Sequence, residues 1–382
     1  MSPSKEGAEP PKTRILLIGA GHANVHVLEA FGKRPEHGVT LTLVTPHRRT
    51  PYSGSLPGYL AGCYTSEEMT IDAAGLAAFS GAEFHLDRAT AIDPAARTAT
   101  LGNGARLDYD LLALDIGSQP GMGEAEAGVP VKPIDRFTET VDGILAQAKS
   151  GTGPFRLAVV GTGAAGVELI FAFAARLPRE IGNRPFRLTL VGEKTEILTD
   201  RSPRTRERMR RKLEDKGIAA VLGSPVARTQ ADRLVLASGE EIEADAIVWA
   251  TTSTAQDWLR QTGLSLDPQG FVKVDEALCS LSHPSLFAAG DIAALPDPRP
   301  KAGVFAVREG PVLAENLRRA ALGQDLKSYR PQKDWLNLLS TADGRAVADK
   351  WGLSLEGRWV WWWKDWNDRR FVERFNKVAR KG

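Results

Sequence analysis

RILLIGAGHANVHVLEA, residues 14–30, decides how the chain is read. Ile15 to Ile18 form an unbroken apolar run, and glycine ends it at Gly19. An apolar run bounded this way reads as a strand buried on both faces. The residues that follow predict a helix through about Phe31, and VTLTLV (39–44) predicts a second strand. A buried strand that turns tightly into a helix delivers free backbone N–H groups and the positive end of the helix dipole to one point, which favours a pyrophosphate. Gly19 and Gly21 hold the first two positions of G-x-G-x-x-G, but Asn24 holds the third.

The same arrangement occurs again. RLAVVG (156–161) leads into TGAAGVELIFAFAARL and then FRLTLV (186–191), so both copies close on LTLV. The second copy is complete, with Gly161, Gly163 and Gly166. The first glycine of such a turn allows the tight bend, the second lets a phosphate approach, and the third lets helix pack on strand. Two such units predict an α/β fold with two Rossmann-like dinucleotide-binding domains and a small C-terminal segment. Glu193, after the second closing strand, is placed to bind a ribose 2′-hydroxyl and repel a 2′-phosphate, which favours NADH over NADPH. Lys194 beside it softens that preference. The first copy has TPHRR (45–49) there, with no carboxylate.

Bulk properties set the frame. The 382 residues are 42% hydrophobic and 25% charged, enough for two domains with real cores. A net charge of +2 gives no global field for nucleic acid. Two cysteines fit a reducing, cytoplasmic setting and exclude a disulfide scaffold. The N-terminal MSPSKEGAEPPKT lacks the apolar core of a signal peptide, and residues 1–12 are expected to be a disordered tail. No apolar run is long enough for a membrane-spanning helix.

Further pieces follow in a telling order. ARLDYDLLALDIGSQP (105–120) reads as a strand ending in a Gly-Ser turn, and EIEADAIVWATTS (241–253) is its counterpart. GFVKVDEALCSLSHPSLFAAGDIAAL (270–295) ends in an apolar strand and Gly290-Asp291. KAGVFAVREGPVLAENLRRAALG (301–323) predicts a helix from near Gly303 that stops at Gly323. Together these motifs resemble the pyridine nucleotide-disulfide oxidoreductase superfamily over residues 12–325. GHANVHVL, TPYSGSLPGYLAG, LALDIGSQP, KAGVFAVREGPVLAENL and WVWWWKDWNDRRFVERF resemble its NADH-dehydrogenase-like branch, which also occurs fused in front of selenide, water dikinase. No such synthetase domain is expected within these residues.

The resemblance implies a glutathione-reductase-like FAD/NAD(P) fold. An FAD-binding domain is expected at 13–120 and 256–325, an inserted NAD(P)H-binding domain at 121–255, and a Trp-rich segment at 326–382. It implies that Gly19, Gly21 and a helix start at His22–Ala23 face the FAD pyrophosphate. Gly290 and Asp291 are expected at the ribityl or pyrophosphate region, and the helix near Val304 at the flavin. Thr45, Pro46, Arg48, Ala89 and Gly117 complete the expected FAD set. Gly161, Gly163, Gly166, Glu193 and Thr251 are expected to hold NAD(P)H, with Glu168 near the nicotinamide. Two departures stand out: Thr45-Pro46 where the family carries a ribose carboxylate, and Ala250-Thr251-Thr252 where it has A-T-G.

Disulfide reductases of this superfamily relay electrons through two thiols at close spacing. Cys63 and Cys279 lie 216 positions apart, and each reads as a small buried apolar residue. Reduced FAD is therefore expected to pass electrons directly to a quinone-like or other small acceptor. The rival expectations are a chalcogen acceptor, or an FAD-binding sensor with little turnover. RRTPYSGSLPGYLAG (48–62) is expected to line the flavin or the acceptor entrance, with Tyr52 and Ser53 foremost. Lys301 is expected to meet the flavin or an acidic partner. His22 and His26 share a helix face without a third metal ligand, and no metal is expected. The basic run 201–217 carries Glu207, Glu214 and Asp215 and reads as a solvated helix face. In 359–382, Trp359, Trp362, Trp363 and Trp366 share one helical face while Phe371, Phe375 and Val378 share another. Seven basic against three acidic residues accompany them. That mixture suits a membrane interface, placing the protein on the inner face of the membrane, but it equally suits the protein's own core or a homodimer partner.

Overall fold

The structure is a computed structural model describing residues 12–122 and 127–382. The tail expected to be disordered lies outside these residues apart from Lys12.

Two five-stranded parallel sheets are the same object built twice. The first runs, in spatial order, Leu286–Ala288, Leu111–Leu114, Thr13–Ile18, Val39–Thr45 and Glu83–Leu86. The second runs Val129–Pro130, Ala246–Trp249, Phe155–Val160, Phe186–Gly192 and Ala219–Leu222. Each central strand is hydrophobic without alternation because both its faces are buried, one under helices and the other under a small antiparallel sheet. Ile15 to Ile18 are no more than 2% exposed. Helix Asn24–Lys33 packs on helices Ala73–Ser80 and Gly303–Ala321, while helix Ala164–Ile181 buries Val167, Ile170, Phe171 and Phe173.

The stretches 105–120 and 241–253, each expected as one strand, are broken into shorter strands. Arg106–Asp108 and Glu241–Glu243 belong to small antiparallel sheets, whereas Leu111–Leu114 and Ala246–Trp249 join the parallel ones. An aspartate breaks each stretch at the same point. The Asp110 carboxylate accepts from the Arg14 N–H at 2.8 Å, and Asp245 from the Arg156 N–H at 2.7 Å. Each thus fixes the entry of its central strand.

The chain passes between halves twice, and the two passages run side by side as an antiparallel pair, Gln119–Pro120 with Ser253–Thr254. A C-terminal segment then forms a three-stranded sheet, Asn337–Ser340, Ala346–Lys350 and Leu353–Gly357, and the helix Arg358–Ala379. That helix returns to the first half. The Asn376 side chain accepts from the Asp72 N–H at 2.8 Å and donates to the Thr70 carbonyl at 3.0 Å.

Candidate functional site

A cleft of about 1420 Å³ lies beyond the carboxyl ends of the strands ending at Val160, Gly192, Trp249 and Ala288. This is where open α/β sheets bind ligands. Of the expected residues, Gly161, Gly163, Glu193, Thr251, Gly290, Asp291 and Lys301 line it.

The second half meets the expectation for a dinucleotide turn. Gly161 has φ +121°, and a Cβ there would lie 2.2 Å from the Ala250 carbonyl oxygen. A Cβ on Gly166 would lie 1.9 Å from the Gly161 carbonyl oxygen, so helix and strand touch backbone to backbone. Helix Ala164–Ile181 begins at Gly163 with no side-chain cap, leaving its first turn open to a ligand. Glu193 is exposed at the cleft, and the neighbouring Lys194 ammonium is drawn to the Thr199 hydroxyl at 3.1 Å. The loop carrying Ala250-Thr251-Thr252 is pinned rather than loose. The Thr251 hydroxyl donates to the Gly121 carbonyl at 2.6 Å, and the Gly121 N–H donates to the Thr252 carbonyl at 2.8 Å.

The first half fits FAD at one end of its site. Helix Gly303–Ala321, with Val304 in its first turn, has no side-chain cap, and a Cβ on Gly303 would meet Ser53 Oγ at 3.1 Å. A Cβ on Gly117 would meet nothing within 4 Å. Asp291 accepts from Lys132 Nζ at 2.5 Å and from the Ser118 hydroxyl at 2.9 Å. Burial opposes its charge, but Lys132 and Ser118 more than offset that and hold it below the usual carboxylate range. Lys301 is not a surface lysine. Its ammonium donates to the Ala293 carbonyl and sits 4.0 Å from the centre of the Phe271 ring.

Several expectations need correction. The first helix starts at Asn24, not at His22–Ala23; Ala23 is fully buried and its N–H is taken by Asp115 Oδ2 at 2.7 Å. His22 stands against Tyr52 and Ser53, and burial lowers its pKa to about 4. Thr45 is buried, Arg48 lies over the Phe84 ring, and Ala89 pairs with Leu101 in an antiparallel sheet. Those three and exposed Pro46 stand outside the cleft lining, as do Gly19, Gly21, Gly117 and Val304. Cys279 is buried as expected, but Cys63 is exposed.

A second cluster collects the other expected residues. Tyr52 and Ser53 join His22, with Ser53 Oγ 3.2 Å from His22 Nε2 and the His22 and Tyr52 rings 5.1 Å apart. The next carbonyl, Gly54, accepts from Lys364 Nζ at 2.9 Å. Lys364 also donates to Asp368 at 2.9 Å and lies 4.0 Å from Glu168, which accepts the Ser340 N–H at 2.8 Å. Burial pushes Glu168 above its ordinary pKa, against the pull of Lys364. Burial alone would lower Lys364, yet its two carboxylates hold it above the lysine range. Lys364 and Asp368 were missed in the sequence, although their four-residue spacing was readable as a helical ion pair. Lys132 and Asp115 were missed as well.

Elsewhere, the basic run forms helix Pro203–Asp215, where Arg210 and Arg211 pair with Glu207, and Arg208 and Lys212 with Glu356. On the last helix, Phe375 and Val378 are buried, whereas Trp359, Trp362, Trp363 and Trp366 are 40–59% exposed and do not cover the protein's own core. No helix among the described residues is long and apolar enough to cross a membrane.

Comparison with known proteins agrees with this geometry. Residues 13–310 match the family model of pyridine nucleotide-disulphide oxidoreductases. An NADH dehydrogenase-like protein of Mycobacterium tuberculosis is 27% identical over 300 residues, 74% of this chain and 73% of the relative. The type II NADH:quinone oxidoreductase of the same organism is 25% identical over 365 residues, 87% and 77% of the two chains. The structure of NDH2 from Plasmodium falciparum in complex with NADH superposes with a TM-score of 0.81 at 14% identity, covering 97% of this chain and 98% of that one. With two strand-turn-helix units of the dinucleotide-binding kind, the chain belongs to the pyridine nucleotide-disulphide oxidoreductase family, among its NADH-dehydrogenase-like members.

Proposed function

We propose that this protein oxidises NADH through FAD and passes the electrons directly to a quinone-like acceptor. The observation that carries this reading is the Glu168–Lys364–Gly54 chain of contacts. It joins the second dinucleotide unit to the loop at Tyr52 and Ser53 that meets the helix Gly303–Ala321. FAD supplies the hydride acceptance and onward electron transfer. The residues supply placement and protons. Gly161, Gly163 and Gly166 hold the NADH diphosphate, and Gly290, Asp291 and the helix at Gly303 hold FAD. Glu168, raised by burial and beside a lysine, can keep a proton within reach of a quinone that must take protons up. Cys63 is exposed and Cys279 buried, and both are free, so neither forms a thiol relay with the other.

The test is anaerobic. NADH bleaches the bound flavin, and a quinone restores its colour faster than oxygen or a chalcogen compound does. A flavin that NADH leaves oxidised would remove the reading. Glu193→Ala is expected to raise the KM for NADH by about tenfold, the worth of one charge-assisted hydrogen bond, without raising it for NADPH; steady-state assays with both nucleotides decide.

A quinone acceptor suits a membrane surface, and the exposed tryptophans support docking through the last helix. Trp351, Leu353 and Leu355, just before that helix in the chain, are also exposed, at 70%, 54% and 50%. Aromatic side chains next to basic ones favour the lipid interface. Replacing Trp359, Trp362, Trp363 and Trp366 with serine is expected to abolish co-sedimentation with anionic vesicles while leaving NADH-dependent bleaching intact. A change in oligomeric state without loss of vesicle binding would assign the face to a second copy instead.

A further inference from the structure

The second half serves as a built-in reference for the first. Ile18 pairs with Leu114 and Val160 with Trp249, so the next residues match Gly19 with Asp115 and Gly161 with Ala250. Asp115 therefore stands where the second half has alanine, and Asn24 stands where it has Gly166. The two replacements fit each other. The Asn24 amide donates to the Gly19 carbonyl at 2.7 Å, bridging a gap that the second half closes by direct contact. Asp115 fills the space under Gly21, where a Cβ would lie 2.3 Å from its Oδ1. Its Oδ2 accepts the N–H groups of Ala23 and Asn24 at 2.7 and 2.9 Å, and its side chain is buried. The second helix takes no such carboxylate.

We propose that Asp115 is an internal anion which the FAD diphosphate must meet at the first helix, so that holding FAD takes up a proton at Asp115, with Asn24 bracing the turn around it. This rests on the FAD reading above. One helix N-terminus stabilises about half an elementary charge of anion, and a second negative group beside the first disfavours ionisation of both. The neighbours do not relieve it. Asp291 and Glu309 are carboxylates; Glu309 Oε2 accepts the Gly290 N–H at 2.5 Å, and a Cβ on Gly290 would touch Asp115 at 2.7 Å. Lys132 is bound to Asp291, Lys301 to the Ala293 carbonyl, and His22 is neutral. Burial already brings Asp115 and Glu309 up to about 7.

Release of FAD from the diluted holoprotein, followed by flavin fluorescence from about pH 6 to about pH 9, tests this. A group protonated in the complex and ionised in the free protein weakens binding by up to about tenfold per pH unit above its free value. The wild type is expected to show that rise above neutrality. Asp115→Asn is expected to hold FAD with a flat profile, as is the pair Asn24→Gly with Asp115→Ala, which installs the second half's residues. Glu309→Gln is expected to keep the rise. Parallel profiles for wild type and Asp115→Asn would overturn the inference, as would a rise abolished by Glu309→Gln alone. A wild type that binds NADH but no FAD at any pH would overturn the FAD reading, and this inference with it.

Discussion

Lys364→Met is expected to destabilise the protein by roughly 3–5 kcal/mol, because removing one partner of a buried ionic group leaves the others uncompensated. Lys364 is the single ammonium between Asp368 and Glu168, and its own side chain is only 11% exposed. It also satisfies the Gly54 carbonyl, which loses its donor. The loss should appear as a lower Tm and a lower urea midpoint. Adding Asp368→Leu to Lys364→Met should recover much of the stability, since apolar replacement of a whole buried pair is often neutral. Turnover should not recover with it, because the Glu168–Lys364–Gly54 chain of contacts is still broken. Restored turnover in the stable double variant would separate this cluster from the chemistry.

Gly166→Ala is the second large effect. Its added methyl would sit 1.9 Å from the Gly161 carbonyl oxygen, and backbone cannot move aside as a flexible side chain does. Overpacking of this kind costs about 1–3 kcal/mol. Here the helix that yields is the one whose first turn should hold the NADH diphosphate. The KM for NADH is expected to rise by at least about tenfold while FAD stays bound, read from the flavin spectrum. An unchanged KM would place NADH elsewhere in the cleft.

Much of the architecture was legible because the central strands are apolar on both faces and the turns carry glycine. The sheet positions of residues 14–19 and 156–161 follow from that pattern alone. What escaped was chemistry delivered from far along the chain. Asp115 looks like the polar end of a strand until it is seen capping a helix 92 residues earlier. Lys364 looks like one more cation in a basic tail until it is buried 310 residues from the carbonyl it binds. Asn24 stood out in the sequence as a residue at a glycine position, but only the fold shows its amide bound to the Gly19 carbonyl. The expectation that failed at Ala23 concerned whether its N–H was free, and burial and a partner far along the chain decide that.

The C-terminal segment changes what the paired passages at Gln119–Pro120 and Ser253–Thr254 can do. Alone, two adjacent strands would make a good pivot. The segment, however, is fastened on both sides of it: Asp349 accepts from the Ser202 hydroxyl at 2.8 Å and Ser340 donates to Glu168 in the second half, while Asn376 is bound to Thr70 and Asp72 in the first. It acts as a strut across a hinge. NADH must then enter and leave by a fixed mouth rather than by the halves swinging apart. Hydrogen exchange at the paired passages should be equally slow with and without NADH, and should quicken once the strut is cut by removing residues 337–382.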